Sequence, residues 1–329
     1  MKLNNKGFAF STMLYGVLSL IIIVLMLIFG VIKAAKNENN YYATVLEDIL
    51  NRCVAEEVAL ENCYSSGGSC DPTAYYVCMG INGEKENTGG LVIAEKLKEN
   101  IVTTGNGLYQ DGNSNRYIYR GTDVNNYINY SGLTWRIVSI ESDGSVKAIY
   151  PGYTEMLAWD TNNKESWEGS SLNNYLNNEF YSSLTDTSGL TKKIWHTGRI
   201  FNTGVMSIDE LIIQENKSEY TGSGDTNGLI GLLSSSDYIK ASLDENCQND
   251  VLGSTTCTSW ISIYRSWLIN SNGDISEEEQ QQAYYFSTDN KLSTITVDTE
   301  YDVLPTIFIK RTFTINGGDG TVGDPYTVH

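Results

Sequence analysis

The strongest pattern comes first in the chain. Phe8 to Ile32 runs without a single charged side chain. As a helix rising about 1.5 Å per residue, such a run reaches roughly 37 Å, enough to cross a hydrocarbon core of about 30 Å. The apolar pattern then changes character. Tyr42, Val45, Leu46, Ile49, Leu50, Cys53, Val54 and Val58 recur at spacings of three and four, one face of an amphipathic helix. No Pro or Gly interrupts residues 31–66. The pattern predicts one helix from Phe8 to about Leu60, transmembrane over 8–32 and amphipathic beyond. The run exceeds the apolar core of a secretory signal, and Val31 to Lys36 has no small-residue cleavage pattern, so retention at that end is expected.

Beyond residue 61 the pattern shortens. Residues 61–89 are rich in Gly, Ser, Asn and Cys and read as a loop tied by disulfides. Leu91 to Val102 has helical spacing, and Asp111 to Asn115 is turn sequence. From Arg116 the chain becomes β-rich. Tyr117–Arg120 reads as a strand. Leu133–Ile140, the turn Ser142-Asp143-Gly144-Ser145 and Val146–Tyr150 read as a hairpin, with Asp-Gly supplying the turn. Ser170 caps a helix to Leu184 carrying Leu172, Leu176, Phe180 and Leu184 on one face. Ile208–Ile213 and Asp237–Leu243 read as helices. Leu229–Leu233, Ala283–Ser287, Ser293–Val297 and Thr306–Lys310 read as strands. Residues 315–320 and 324–326 read as turns. The predicted class is α+β: a basic leader (1–7), a long helix (8–60), a Cys-rich loop with a short helix (61–115) and an extracellular mixed domain (116–329).

Charge places the chain in space. The net charge is −18, yet Lys2, Lys6, Lys33 and Lys36 are the only charges among the first 36 residues. Of 22 basic residues that leaves 18 against 40 acidic ones, so the remainder carries −22. Such a surface repels phosphate backbones and argues against a nucleic-acid partner. Cys53, Cys63, Cys70, Cys78, Cys247 and Cys257 form an even set without CxxC or zinc-type spacing. An even set beyond a membrane span fits disulfides in an oxidising compartment. Cys247 with Cys257, and the first four among themselves, is the pairing expected. The cytoplasmic end is then the short N-terminus, and the C-terminal domain is extracellular.

The basic leader, the junction Lys6-Gly7-Phe8, and a hydrophobic helix turning amphipathic resemble the N-terminus of type IV pilins and pseudopilins. That resemblance implies a prepilin peptidase cutting between Gly7 and Phe8 and methylating Phe8. It implies membrane lipid, and then other pilin subunits, as partners of the helix. The family's usual Glu at the fifth mature position is Thr12 here. A buried carboxylate needs its partner, so its replacement points to a minor or tip subunit. The alternative is a single-pass adhesin or receptor that enters no filament.

A second resemblance covers about 200 residues. Arg116-Tyr117-Ile118-Tyr119, Trp135-Arg136-Ile137-Val138, Ser171-Leu172-Asn173, Tyr175-Leu176-Asn177, Leu232-Leu233-Ser234 and Val303-Leu304-Pro305 follow the order seen in a family of uncharacterised bacterial surface domains. Those domains are similar to C-type-lectin-like or related α+β folds, which implies an extracellular ligand of unknown identity. The sugar-and-calcium tripeptides of true lectins are absent from the sequence.

Chemistry-bearing motifs are few. His196 and His329 are the two histidines, and His196 reads as a satisfied structural residue beside Trp195. Arg116 stands where an EF-hand beginning at Asp111 needs Gly, and Ile275 breaks the same pattern after Asp274. No metal site, cofactor or catalytic residue is assigned, and a non-enzymatic role is expected. Glu277-Glu278-Glu279 reads as a helix start. The six Trp are expected in the core.

Overall fold

In the computed structural model the described residues are 91–112, 115–153, 155–222, 228–253, 256–276, 278–287 and 289–329. The expected N-terminal helix with its span 8–32, Gly7, Phe8, Cys53, Cys63, Cys70 and Cys78 lie outside them. Among the described residues no helix is long and apolar enough to cross a membrane.

These residues form a β-rich mixed domain with few helices. Its nucleus is a hairpin of β5 (Leu133–Ile140) and β6 (Val146–Ile149). Gly144, at φ 83°, supplies the turn, and Asp143 accepts the Ser145 N–H. From Trp135 to Ile149 every strand residue of the hairpin is buried, so both faces are covered. The sheet order is β1 (Leu91–Val92), β16 (Thr314–Gly317), β17 (Tyr326–Val328), β4 (Tyr127–Tyr130), β5, β6, β15 (Thr306–Ile309) and β10 (Ile230–Gly231). Only β17 with β4 is parallel in that path. Beside it, β2 (Gly107–Gln110) pairs with β3 (Tyr117–Arg120), which joins β5 at Ser139 and Ile140. Three smaller sheets complete the domain. They are β11 (Ser266–Ser271) with β12 (Gln282–Phe286) and β13 (Leu292–Thr296), β7 (Met156–Ala158) with β14 (Glu300–Asp302), and β8 (Trp195–His196) with β9 (Glu219–Tyr220).

All six Trp are buried at 2% exposure or less, which places them in the core. Five of them also donate their indole N–H to a backbone carbonyl: Trp135 to Tyr130, Trp159 to Leu268, Trp195 to Gly228, Trp260 to Tyr119 and Trp267 to Leu157. Each therefore supplies apolar bulk and pins a strand or loop.

The helix expected over 170–184 is present, and Ser170 caps it through the Asn173 N–H. It runs as α2 (Ser171–Tyr175), a π-helical turn (Leu176–Phe180) and α3 (Tyr181–Ser183). Asn177, in the wide turn, receives the Ile230 N–H on Oδ1 at 3.0 Å and donates to the Ile230 carbonyl at 2.8 Å. Ile230 lies on β10, the sheet edge. One side-chain amide thus occupies the hydrogen-bonding positions that another strand would use.

Four expectations are corrected. The segment 91–102 is not helical throughout: Leu91 and Val92 pair with Ile315 and Thr314, and α1 spans only Ile93–Lys98. The segment 229–233 pairs as a strand only at Ile230 and Gly231. Of the turns expected over 315–320 and 324–326, residues 315–317 lie instead in β16 and Tyr326 in β17, whose register shifts between Ile315 and Gly317. Glu278 and Glu279 start no helix. Glu279 accepts the Ser276 N–H and hydroxyl, a capping contact, but the chain then turns into β12.

Candidate functional site

Six charged residues converge where β3, β6 and α5 (Ser235–Lys240) meet. Arg116, one residue before β3, reaches three carboxylates: Asp111 at 3.2 Å, Glu141 at 3.2 Å and Asp237 at 2.9 Å. Asp237 is the third residue of α5 and 2% exposed. Its second oxygen accepts the Ser234 N–H, closing a capping box, and pairs with Lys147 of β6. Lys240, from the last turn of α5, holds Asp111 at 2.8 Å. Three cations and three carboxylates thus neutralise one another.

Burial alone would raise the Asp237 carboxyl, but the Lys147 and Arg116 charges outweigh it and hold Asp237 well below the usual carboxylate range. Arg116 is held more firmly charged than usual: burial opposes this, and Glu141, Asp237 and Asp111 outweigh it. Such a cluster is a lock between elements. With Asp237 and Lys147 at 2% and 7% exposure, a ligand cannot reach the pair without opening the domain.

Glu215 is a buried carboxylate outside this balance. It ends α4 (Ile208–Glu215) and is 2% exposed. Its oxygens meet the N–H and hydroxyl of Ser236 at 2.8 and 2.5 Å, and the Ser236 hydroxyl lies 3.0 Å from that of Ser234. Burial pushes the Glu215 carboxyl up to about 7. His196 is half-buried on β8, and its Nδ1 has no hydrogen-bond partner, so it is not the satisfied histidine expected. Burial, then the nearby Lys147 charge, lowers its affinity for a proton.

An open groove lies at the outer edge of the same cluster. It holds about 110 Å³ and is lined by Tyr109, Asp111, Ile118, Arg120, Lys240 and Gln248 among others. Gln248 belongs to α6 (Asn246–Asn249), and the neighbouring Cys247 is bridged to Cys257 with their Cα atoms 5.6 Å apart. Of the predicted site residues, these two cysteines are the pair that the described residues contain. Asp111, considered in the sequence as the start of a cation loop, instead serves Arg116 and Lys240.

The sequence reading missed this cluster. Its one local signal was Lys147, a lone charge inside the strand Val146-Lys147-Ala148-Ile149. Of the ordered surface-domain motifs, Arg116 enters the cluster and Ile118 the groove, while other motif residues are framework. Arg136 is buried between the Tyr127 and Trp260 rings, 4.4 Å from each centroid, and donates to Asn126. Ser234 caps α5, and the Leu304 N–H donates to Ser266.

Comparison of the chain with family models finds no match, and neither does comparison with curated proteins or with solved structures. The class that the fold and site define is therefore a disulfide-containing, β-rich mixed domain with a neutralised ionic lock and a polar groove beside it.

Proposed function

We propose that this chain is a membrane-anchored, pilin-like surface subunit of minor or tip type that displays an interaction domain outside the cell. The observation that carries the reading is the junction Lys6-Gly7-Phe8 opening an uncharged run to Ile32. The acidic bulk beyond it and the Cys247–Cys257 bridge support an extracellular, oxidising location. The role is display and binding rather than catalysis. Its partners are membrane lipid, a prepilin peptidase, neighbouring pilin subunits and an extracellular ligand.

Thr12 favours one second reading, a single-pass adhesin or receptor outside any filament. Intact-mass analysis of the protein purified from its native membrane separates the two. The pilin-like reading expects a mature chain beginning at methylated Phe8. Residues 1–7 still attached would leave the adhesin in its place.

A further inference from the structure

Arg120 differs from the other cations of the cluster. Arg116, Lys147 and Lys240 each pair with carboxylates, whereas Arg120 forms no ion pair among the described residues. Its Nε and Nη2 both donate to one carbonyl, that of Ser242 just beyond α5, at 3.1 and 2.9 Å. The Tyr109 ring lies 5.3 Å from the guanidinium carbon and fixes the plane of the group.

A guanidinium has five N–H donors in a rigid fork. The carbonyl of Ser242 takes the side edge, Nε with Nη2. The end edge, Nη1 with the second Nη2 hydrogen, remains, and it is a geometry that receives a carboxylate through two parallel bonds. Arg120 lines the groove. Asp111 lines it too, but its charge is shared between Arg116 and Lys240. On a chain of net charge −18 the groove is thus a local positive spot.

The walls suit a polar ligand. Gln248 adds an amide group, and Tyr109 and Ile118 add a ring and an apolar side chain. A volume of about 110 Å³ is several times the ~10–15 Å³ that one water needs, so the groove admits a carboxylate and the atoms carrying it. Gln248 follows Cys247, which the disulfide ties to Cys257.

We infer that this groove is a binding site for a carboxylate-bearing small ligand, with the end edge of Arg120 as its anchor. A sugar acid and a peptide C-terminus present the same group. The inference holds whether or not the chain enters a filament, because it concerns only the groove.

The test is calorimetric titration of the full chain in detergent with galacturonate, galactose and N-acetylglycine. Saturable binding of one or both carboxylates, with none of galactose, is expected. Galacturonate alone would identify a sugar acid, and N-acetylglycine alone a peptide terminus. Arg120→Lys keeps the charge but removes the fork, and a loss of at least roughly tenfold in affinity is expected. Gln248→Ala, which leaves the Arg120–Ser242 contact in place, is expected to weaken the same ligand without lowering the unfolding midpoint. Absence of binding by either carboxylate overturns the inference. So does equal binding of galactose, or an Arg120→Lys protein that folds and binds as tightly as before.

Discussion

Glu215→Gln isolates the surplus buried charge. In the unfolded chain a glutamate titrates near 4.5, whereas burial pushes Glu215 up to about 7. Its neighbours do not reverse that shift. The Ser236 bonds and Lys147 on β6 favour the carboxylate, and Asp237 on α5 disfavours it. Between these two values the folded protein keeps a proton that the unfolded chain has released. Stability therefore falls as pH rises through the window, by about 1.4 kcal/mol per pH unit, and flattens above 7. Over the whole window the loss is about 3 kcal/mol. Gln reproduces the protonated form: its oxygen can accept the Ser236 N–H and its amide can donate to the Ser236 hydroxyl. The variant should match the parent near pH 4.5 and exceed it by about 3 kcal/mol at pH 8. For a domain of this size that is roughly 6–12 °C in unfolding midpoint. Chemical denaturation of both proteins at pH 5, 6, 7 and 8 reads the difference directly, since groups common to both cancel. A difference that stays constant across pH would refute the reasoning, because the gain would then come from packing rather than from a proton.

Three other perturbations test the framework. Asp237→Asn leaves the buried Lys147 without its ion-pair partner and should cost about 3–5 kcal/mol in denaturant titrations at pH 7. The parent pair should itself weaken only in acid, because a carboxyl held below its unfolded value of 3.8 loses its contribution as pH falls beneath that value. Replacing Cys247 and Cys257 together by Ser opens a loop of sequence separation 10 and should cost about 3 kcal/mol, read as a lower unfolding midpoint. Asn177→Ala strips Ile230 of both edge partners and should cost about 2–4 kcal/mol, with faster hydrogen exchange at the Ile230 amide.

What the sequence revealed was local. The β5–β6 hairpin is legible because Asp143-Gly144 and two apolar strands lie within 17 residues of one another, and the Ser170 helix because its cap and apolar face are contiguous. Short strands that depend on distant partners were not legible. Tyr127–Tyr130 pairs with β5, but its other neighbour is β17, almost 200 residues away. Gly317 to Gly320 carries every mark of a turn, and nothing local shows that both flanks close the same sheet. The site failed for the same reason. Arg116 and Asp237 are 121 residues apart, and Lys147 and Asp237 are 90 apart. Arg116 was visible as the residue that spoiled a calcium loop and as the head of a surface-domain motif, and neither disclosed its ion pairs.

The distribution of cations connects lock and groove. Beyond residue 36 the chain has 18 basic residues for 40 acidic ones, and of the two cations that line the groove Lys240 meets a carboxylate while Arg120 meets none among the described residues. The lock uses Arg116, Lys147 and Lys240 to neutralise acids, and each of the three already holds a carboxylate. Arg120 ends β3, which Arg116 immediately precedes, yet it meets only a carbonyl and a ring. A carbonyl carries partial charge and satisfies a donor without neutralising the guanidinium. The lock therefore fixes α5, and with it the Ser242 carbonyl that orients Arg120. The charge balance of the lock is closed, and that of the groove is open by one positive charge. Rigid presentation of one unneutralised fork on an acidic surface favours selective capture of a small anion at short range over general attraction of polyanions.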